Sequence, residues 1–541
     1  MAIPLLHTVV TWLLKKRVHD IELFIKYPNE VQRDELMSLL QTAKKTEVGK
    51  QYGFADIQQY EDFADRVPIR TYEEIAPMIE RSRQGEQNIF WPTPIKWYAK
   101  SSGTTNAKSK FIPISNESLE DCHFKGGKDM LSLYFKNNEQ SSVLQGKALR
   151  LGGSKEIYEE NNSYFGDLSA IMINNLPLWA EMVSAPSQKV SLMSEWETKM
   201  KAIVNETIKE DIRSMAGVPS WMLVLLQKVL AETGRESILD VWPNMEVYFH
   251  GGVNFMPYKE QYKALMPSDA VHYVELYNAS EGFLGVQDQL HSDELLLMLD
   301  YGIFYEFIDM KTYGTKNEKV IPLSAVEVGT QYAVIISTNA GLWRYNIGDT
   351  IRFTSIVPYR FKITGRTKHF INVFGEELVI ENADKALETV CQKYKVQVVD
   401  YTAAPIFMEG SEKGGHEWLV EFKKPPQNPE AFATDLDEAL QSINSDYEAK
   451  RYKNMTLMPL KLHVAAPKTF YKWLKQKGKI GGQHKVPRLS NNREYLEELL
   501  ECLKALLSVT IGKNQNGIQS QLFKSAISII SLSSKEIETF S

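Results

Sequence analysis

Between residues 96 and 366, short runs of β-branched and aromatic residues alternate with longer stretches of helical periodicity. The runs VHYVELY (271–277), YAVIIST (332–338) and TIRFT (350–354) are typical of strands, and residues 219–232 show helical spacing of apolar residues. A further strand is predicted at MEVYFH (245–250) and a further helix at 196–213. Strands that interleave with helices favour a sheet covered by helices. We therefore predict an α/β fold with a sheet core.

After FKITGR (361–366), the pattern changes to a compact α+β order. Helices are predicted at 379–393 and 430–443, and the strands VQVVDYTA and HEWLVEFKK lie between them. The boundary lies between 364 and 380, where no long low-complexity linker occurs, so we expect a short hinge. The predicted units are a large N-terminal domain (1–366), a smaller mobile C-terminal domain (367–511) and a tail (512–541) without an assigned function.

Composition argues against several classes of protein. Of the 541 residues, 43% are hydrophobic and 24% are charged, as in ordinary globular proteins, and the net charge of −6 gives no basic surface for nucleic acid. The three cysteines, Cys122, Cys391 and Cys502, are an odd number and far apart, which indicates a reducing, cytoplasmic setting.

The apolar run in the N-terminal segment MAIPLLHTVVTWLLKKRVHDIELF is too short to span a bilayer. The run precedes the basic cluster, which is the reverse of the order in a secretory signal. It predicts an amphipathic helix docked on the core, with peripheral membrane contact as the alternative.

Common catalytic motifs are absent from the sequence. No glycine loop closes with Gly-Lys-Ser/Thr, no GxGxxG follows a strand, and neither HExxH nor GxSxG occurs. The histidines and cysteines do not fall at zinc-ligand spacing. These absences argue against P-loop, dinucleotide-binding, zinc and serine-hydrolase chemistry.

The stretch YAKSSGTTNAKSKFIPIS (98–115) places a hydroxyl-rich loop between two strand patterns. Hydroxyl and backbone N–H groups around Gly103 can surround anionic oxygens, and Lys108 or Lys110 can add positive charge. A lysine about 4 Å from a phosphate contributes on the order of 4 kcal/mol at an effective dielectric constant of about 20. Loops of this composition are also common on protein surfaces, so the composition leaves both a phosphate cradle and a solvated loop open.

Two later segments could also bind a nucleotide. In VELYNASEGFLG (274–285), an aromatic residue that can stack on a base ends a strand, and the carboxylate of Glu281, which can bind Mg²⁺, follows. In STNAGLWRYNIGDTIRF (337–353), a hairpin leads to Gly348 and Asp349, whose carboxylate can accept both hydroxyls of a ribose. Taken alone, each segment is also compatible with a routine turn.

In this order, SSGTTNAKSK, YNASE and YNIGD resemble the three nucleotide motifs of the adenylate-forming superfamily, which includes luciferases and acyl-CoA ligases. Residues 5–510 more closely resemble the acyl acid amido synthetases, the auxin-responsive Gretchen Hagen family and its bacterial relatives. FHGGVNFMPY (249–258) and GGQHKVPRLSNNREYLEELL (481–500) carry this narrower similarity. The resemblance implies a sheet core of the adenylate-forming type and a mobile C-terminal domain.

The resemblance also implies ATP and Mg²⁺ as cofactors. The residues implied to contact the nucleotide are Ser101, Ser102, Gly103, Thr104 and Thr105 with Lys110 for the phosphates, Tyr277, Asn278, Ala279 and Ser280 for the adenine and α-phosphate side, Asp349 for the ribose, and Gly251 and Gly252 for close backbone approach. Glu281 would bind Mg²⁺, and Arg366 precedes a hinge near Lys368. The catalytic lysine of the C-terminal domain is Lys485 by the family pattern, whereas Lys479 and Lys477 fit the broader superfamily pattern.

Three positions depart from the plant members of the family. Ala107 replaces a glycine, Asn346 replaces an arginine, and a lysine that follows the hinge is replaced near Glu377. The acyl pocket is expected around 122–124 and in INNLPLWAEM (173–182). His123 could either pack or contact substrate, and we expect Trp179 and Trp221 to be core residues.

The implied reaction has two steps and small-molecule substrates. A carboxylate attacks the α-phosphorus of ATP, which releases pyrophosphate and leaves an acyl-adenylate. The amino group of an acceptor, expected to be an amino acid, then displaces AMP. We expect no nucleic-acid partner and no stable membrane insertion. The alternatives are an acyl-CoA ligase with a thiol acceptor and a catalytically silent nucleotide-binding relative.

Overall fold

The computed structural model describes residues 16–513 except 102–109, 153–157, 161, 194, 254, 256–257, 368–369, 409–412, 455 and 478–485. The predicted N-terminal helix lies partly outside these residues, and its described part is helix α1 (16–26). No helix among the described residues combines the length and the apolar character needed to cross a bilayer. The three cysteines are free thiols.

The strands are numbered in the order in which they occur along the chain. They are β1 (Trp97–Ser101), β2 (Lys110–Ile114), β3 (Lys147–Arg150), β4 (Tyr158–Glu160), β5 (Ser163–Gly166), β6 (Ser184–Ala185), β7 (Ile212–Gly217), β8 (Val247–Gly251), β9 (His272–Ala279), β10 (Gly282–Val286), β11 (Leu295–Leu297), β12 (Ile303–Asp309), β13 (Val320–Pro322), β14 (Gln331–Thr338), β15 (Tyr345–Ile356), β16 (Tyr359–Arg366), β17 (Phe370–Ile371), β18 (Leu378–Val379), β19 (Val398–Ile406), β20 (Gly415–Phe422) and β21 (Lys461–Ala465).

The helices that follow α1 precede these strands or lie between them, and the last two follow them. They are α2 (Pro28–Ala43), α3 (Glu47–Gln51), α4 (Tyr60–Arg66), α5 (Tyr72–Arg83), α6 (Lys125–Asn137), α7 (Leu168–Asn174), α8 (Leu178–Met182), α9 (Gln188–Ser191), α10 (Trp196–Thr207), α11 (Pro219–Thr233), α12 (Lys259–Leu265), α13 (Ile380–Tyr394), α14 (Pro429–Ile443), α15 (Ser445–Arg451), α16 (Thr469–Gln476) and α17 (Glu494–Lys513).

A twelve-stranded mixed sheet forms the centre of the N-terminal part, in the order β13-β12-β14-β15-β16-β11-β10-β9-β8-β7-β3-β6. Strands β9, β8, β7, β3 and β6 run parallel to one another, and the remaining pairs are antiparallel. Helices such as α10 and α11 connect the parallel strands, as parallel pairing requires. The predicted α/β fold is therefore confirmed.

The strand–loop–strand pattern at 98–115 is an antiparallel hairpin in a separate four-stranded sheet, β2-β1-β5-β4. Ser101 and Lys110 are paired at the point where the hairpin opens. The intervening loop, which includes Ser102, Gly103, Thr104 and Thr105, lies outside the described residues. The two flanking strands confirm the predicted strand–loop–strand pattern, whereas the phosphate cradle stays a prediction.

The predicted helix at 196–213 is wrong at its C-terminal end. Helix α10 ends at Thr207, and Ile212 already begins β7. Strand β7 lies inside the sheet between β8 and β3, and Ile212 and Met215 are fully buried. The spacing of these two residues also fits a helix, but pairing with two neighbouring strands decides the structure.

The C-terminal part is a smaller α+β unit that packs against the N-terminal part. Its sheet has the order β19-β20-β21, and one hydrophobic core joins residues of β7, β8 and α11 to residues of α13, β20 and α14. The Tyr258 hydroxyl donates a hydrogen bond to the Val373 carbonyl at 2.6 Å, and Gln261 Nε2 donates one to the Met408 carbonyl at 2.8 Å. These contacts hold the C-terminal part against the N-terminal part.

Candidate active site

A cavity of about 570 Å³ lies at the carboxyl ends of four adjacent parallel strands. Arg150 ends β3, Gly217 ends β7, Gly251 ends β8, and Ser280 follows β9, and all four residues line the cavity. Open α/β sheets bind their ligands at this edge because every strand ends there with backbone groups and loops turned outward. The topology therefore marks this cavity as the candidate active site.

Asp349, Tyr277 and Arg366 form one hydrogen-bonded network near the cavity. The Tyr277 hydroxyl donates to Asp349 Oδ2 at 2.5 Å, and Arg366 Nε donates to Asp349 Oδ1 at 2.8 Å. Asp349 follows Gly348 within β15 and faces Arg366 in the β15–β16 register. Burial and the Asp349 carboxylate raise the pKa of Tyr277, so its hydroxyl remains a donor. Each carboxylate oxygen still has a second lone pair that can accept a ribose hydroxyl.

Glu281 lies in the turn between β9 and β10, close enough to Lys110 for their charges to interact. Burial raises the pKa of the Glu281 carboxyl, the positive charge of Lys110 opposes that shift, and the negative charge of Asp349 adds to it. The Lys110 ammonium lies 5.5 Å from the centre of the Tyr72 ring. The fold thus brings together five of the residues that were singled out in separate motifs: Lys110, Tyr277, Glu281, Asp349 and Arg366.

The Glu281 carboxylate is compatible with the predicted magnesium site. Within the part of the chain that the structure describes, no three acidic, histidine or cysteine side chains are grouped as metal ligands. Mg²⁺ does not need such a cage, because it commonly uses one or two carboxylates together with substrate phosphates and water. A single carboxylate beside a predicted phosphate loop fits that pattern.

Glycine is required for a different reason at each of the two positions in FHGG, Gly251 and Gly252. A Cβ on Gly251 would lie 2.3 Å from the Leu276 carbonyl oxygen of β9. Gly252 has a φ angle of +83°. There is room for a side chain at this position, because a Cβ there would lie 3.4 Å from Val218 Cγ2. Gly251 is thus required by strand packing and Gly252 by backbone conformation, although both also line the cavity.

His123 reaches the cavity from a π-helical segment, Ser118–Phe124, that precedes α6. Its Nδ1 lies 3.0 Å from Asn278 Oδ1, an acceptor, so Nδ1 carries the proton and Nε2 has the lone pair. Burial lowers the pKa of His123 to about 4, which keeps the ring neutral at neutral pH. His123 and Phe124 line the cavity as expected, whereas Cys122 Sγ is buried against the Phe283 amide at 3.1 Å.

Ile173 and Leu176, from the segment 173–182 in which the acyl pocket is predicted, line the cavity, and the acyl pocket itself stays a prediction. The Trp179 side chain lies outside the described part of the chain. The expectation that Trp221 is a core residue is only half right, because its ring packs on the core and also lines the cavity. The ammonium of Lys450, from α15 of the C-terminal part, lies 4.0 Å from the centre of that ring. Burial lowers the pKa of Lys450 to about 8.

The hinge departure near Glu377 changes the local charge. Glu377 Oε2 lies 3.4 Å from Arg366 Nη1, so an acidic side chain contacts the arginine that precedes the predicted hinge. Lys368 lies outside the described residues. The second departure, Asn346, accepts a hydrogen bond from the Gly348 amide at 2.9 Å and holds the backbone where Gly348 has φ +84°. The side-chain oxygen of Asn346 therefore serves the backbone of the motif.

Of the three lysines predicted as candidates for the catalytic lysine of the C-terminal domain, one lies within the described residues. Lys477 is on the surface, where its ammonium pairs with Glu498 Oε1 at 2.7 Å, and it does not line the cavity. Lys479 and Lys485 lie outside the described residues. The arrangement therefore gives Lys477 no role in this cavity, and the choice of Lys485 stays a prediction.

Three successive family models match the chain. The GH3 family N-terminal domain matches residues 17–271, the GH3 family central domain matches 296–366, and the GH3 family C-terminal domain matches 381–494. Together they cover most of the chain in the order expected of one protein. The chain belongs to the GH3 family. The resemblance inferred from the three motifs is confirmed.

Curated GH3 relatives align with this chain over almost their full length. Indole-3-acetic acid-amido synthetase GH3.3 of Arabidopsis thaliana is 22% identical over 90% of this chain and 93% of its own length. Jasmonoyl--L-amino acid synthetase GH3.5 of Oryza sativa subsp. japonica is 25% identical over 88% and 95%. 4-Substituted benzoates-glutamate ligase GH3.12 of Arabidopsis thaliana is 23% identical over 91% and 97%.

Solved structures share the fold of this GH3 chain. The AtGH3.15 acyl acid amido synthetase in complex with 2,4-DB superposes with a TM-score of 0.59 at 17% identity, over 91% of this chain and 96% of that one. 2-Hydroxyisobutyryl-CoA ligase superposes with a TM-score of 0.55 at 14% identity, over 89% and 93%. Because this chain superposes on both of these enzymes, the predicted fold of the adenylate-forming type is confirmed.

Sequence reasoning missed several polar residues of this GH3 cavity, among them Arg150, His250 and Lys450. Arg150 and His250 lie at the ends of parallel strands, so the rule that ligands bind at carboxyl ends could have found them once the strands were ordered. Lys450 has no comparable signal, because it reaches the cavity only through the packing of the C-terminal part.

Proposed function

We propose that this GH3 protein is an ATP-dependent acyl acid amido synthetase that forms an acyl-adenylate and transfers the acyl group to an amino acid. The observation that carries the proposal is the match of three GH3 domains over most of the chain. The curated relatives that align over almost their full lengths are amido synthetases or ligases. Both substrates are small molecules, and the product is an amide.

In the first half-reaction, the protein positions ATP and the acid close together and reduces the repulsion between their negative charges. Asp349 accepts hydrogen bonds from the ribose, and Arg366 and Tyr277 hold that carboxylate in place. The hydroxyl-rich loop and Lys110 bind the phosphates and offset the charge that develops at the α-phosphate. Little covalent chemistry is required of the protein, because the work is positioning and charge neutralisation.

Glu281 would hold Mg²⁺ on the nucleotide side of the cavity. Bound Mg²⁺ neutralises phosphate charge and favours departure of pyrophosphate. Burial raises the pKa of the Glu281 carboxyl, and the charge of Lys110 favours the ionised form that a cation needs.

The largely apolar cavity would receive the acyl group and exclude water from the acyl-adenylate. Leu176, Trp221 and Phe249 supply apolar wall, and the neutral His123 ring adds no charge. The second half-reaction would need the mobile C-terminal domain to rotate about the hinge near Lys368 and bring Lys485 to the site. The amine then attacks the acyl carbon and AMP leaves.

Acid-dependent exchange between ATP and labelled pyrophosphate tests the first step. A panel of aliphatic and aromatic acids should contain at least one that supports exchange, and that acid should then form an amide when an amino acid is added. Exchange followed by transfer to CoA alone would favour the acyl-CoA ligase alternative, and no exchange with any acid would favour the silent relative. The fold does not separate these alternatives, because a CoA ligase shares it.

Glu281→Ala should lower the exchange rate by about 100-fold or more, because the site loses the carboxylate proposed to hold the metal. Glu275→Ala is the matched control: it removes a largely buried carboxyl from β9, the strand that precedes Glu281, and Glu275 does not line the cavity. The readout is the exchange rate at saturating ATP over a range of Mg²⁺ concentrations. Equal rates for Glu281→Ala and the wild type would contradict the assignment.

A further inference from the structure

The guanidinium of Arg150 lines the cavity and has no anionic partner among the residues that the structure describes. Arg150 is half-buried at the end of β3, and it makes no hydrogen bond or ion pair with the residues that the structure describes. Burial lowers the pKa of Arg150, and no acidic side chain of the described residues opposes this shift. A cation removed from water is stabilised when an anion pairs with it, so the missing partner points to a ligand.

Two buried ammonium groups near the cavity do have partners within the protein. The Lys450 ammonium lies over the Trp221 ring and within range of Asp446 and Glu376. Lys199 donates a hydrogen bond to the Gly152 carbonyl at 3.2 Å. Arg150 differs from both because the described chain offers it neither an acceptor nor an aromatic face.

Arg150 is remote from the nucleotide motifs. The sheet order places β3 three strands away from β9, which carries Tyr277 and Asn278. At about 4.8 Å between neighbouring strands, the two strands lie about 14 Å apart. An arginine side chain covers only part of that distance, so the α-phosphate and the carboxylate that reacts with it are too far away to be its partner.

The chain segments on either side of Arg150 contribute apolar side chains to the cavity lining. Leu144, Ala148 and Leu151 line this end of the cavity, and Val143 also contributes to the lining. A ligand that reaches from the nucleotide side to Arg150 therefore needs an apolar body between two polar ends. A guanidinium binds a carboxylate with two parallel hydrogen bonds, which makes a carboxylate the anion that fits best.

We propose that Arg150 binds a second, non-reacting carboxylate at the far end of the acyl donor, so that the preferred acid substrate is a dicarboxylic acid with an apolar body. The inference rests on the proposed function and adds the class of acid. The amino acid acceptor does not explain the site, because its α-carboxylate must lie within a few bonds of the attacking amine and hence beside the nucleotide.

The test compares octanedioate with octanoate, and 4-carboxybenzoate with benzoate, in the exchange reaction. The wild type should use the dicarboxylate of a pair with a kcat/KM about 10-fold to 100-fold higher, as expected for a charge-assisted hydrogen-bonded pair. Arg150→Gln should abolish that preference by raising the KM of the dicarboxylate far more than the KM of the monocarboxylate. Arg150→Lys should restore part of the preference, because it keeps the charge without the planar fork.

Lys147→Gln is the matched control, because Lys147 belongs to the same strand but pairs with Glu210 at 2.8 Å outside the cavity. Calorimetric titration with the same four acids gives a readout that needs no turnover. A wild type without preference for either dicarboxylate in both assays would overturn the inference. An effect of Arg150→Gln confined to the KM of the amino acid would also overturn it. Exchange with monocarboxylates alone would leave the proposed function intact while this inference fails.

Discussion

The Asp349 carboxylate accepts hydrogen bonds from residues of two other strands, Tyr277 of β9 and Arg366 of β16. Family resemblance assigns each of these residues to the nucleotide separately. The structure adds that they bind one another, so a substitution at one position affects the orientation of the others. Such a shared network makes additive effects of double substitutions unexpected.

Asp349→Asn should raise the KM for ATP about 10-fold or more. The substitution replaces one acceptor oxygen with an NH₂ donor, whereas the ribose hydroxyls require an acceptor. It also removes the negative charge that strengthens the hydrogen bonds to the ribose. Tyr277→Phe is the control, since it removes one donor to Asp349 and keeps the carboxylate. The KM for ATP in the exchange reaction provides the measurement. If Tyr277→Phe raised the KM as much as Asp349→Asn, the carboxylate would have no direct role beyond the network.

Strand β8 ends at Gly251, where the neighbouring strand β9 fills the space of a side chain. The short run Val247–His250 is buried and central in the parallel part of the sheet. Its glycine therefore lets two strands pair up to the rim of the cavity. A side chain at this point would displace β9 and with it the YNASE motif.

Gly251→Ala should lower the stability by about 1 to 3 kcal/mol, as overpacking does, because the Leu276 carbonyl oxygen is backbone and moves only with the strand. Gly127→Ala is the matched control in helix α6, where a Cβ meets nothing within 4 Å. Alanine there should raise stability by up to about 1 kcal/mol through helix propensity. Urea unfolding followed by tryptophan fluorescence measures both, and equal midpoints for the two variants would contradict the packing argument.

At the scale of the whole molecule, the N-terminal and C-terminal parts meet at the cavity through Lys450 of α15 and Trp221 of α11. Lys450 is 6% exposed, and the acidic groups within range are Asp446, Glu376, Asp167 and Glu377. Burial outweighs their attraction and lowers the pKa of the ammonium from 10.5 to about 8. The interface therefore contains a group that titrates near physiological pH.

The stability of the wild type should rise relative to Lys450→Met as the pH rises from about 7 to about 10.5. The folded protein releases the Lys450 proton near pH 8 and the unfolded chain near 10.5, so the unfolded chain binds more protons between these values. Stability then increases with pH, by up to about 3 kcal/mol over the whole interval. Urea titrations of both proteins at several pH values measure the difference, and parallel stability curves would contradict it.

Lys485→Ala should slow at least one half-reaction, because the family pattern assigns this lysine to the catalytic site. Lys477→Ala is the control, since the ammonium of Lys477 is on the surface and pairs with Glu498. The exchange rate reports the first half-reaction, and single-turnover transfer from the acyl-adenylate to an amino acid reports the second. Unchanged rates for Lys485→Ala, or slower rates for Lys477→Ala, would contradict the choice of lysine.

Much of the fold was predictable because its strands have strong local patterns. VHYVELY, YAVIIST and the residues around HEWLVEF are strands in the structure, and the hairpin around the hydroxyl-rich loop has its two predicted arms. The end of the helix at 196–213 was not predictable, since the three-residue spacing of Ile212 and Met215 fits a helix although both residues belong to a strand. Pairing on both sides of β7 decides between them, and that pairing involves residues far away in the sequence.

The sequence by itself determined the class of fold and the three nucleotide motifs, because strand periodicity and motif composition are local properties of the chain. It also placed Glu281 in a turn that follows a strand. Only the tertiary structure decided that Arg150 faces a cavity without an anionic partner among the described residues and that Lys450 covers Trp221. The order of strands in the sheet and the packing of the C-terminal part set these positions, and neither depends on local sequence.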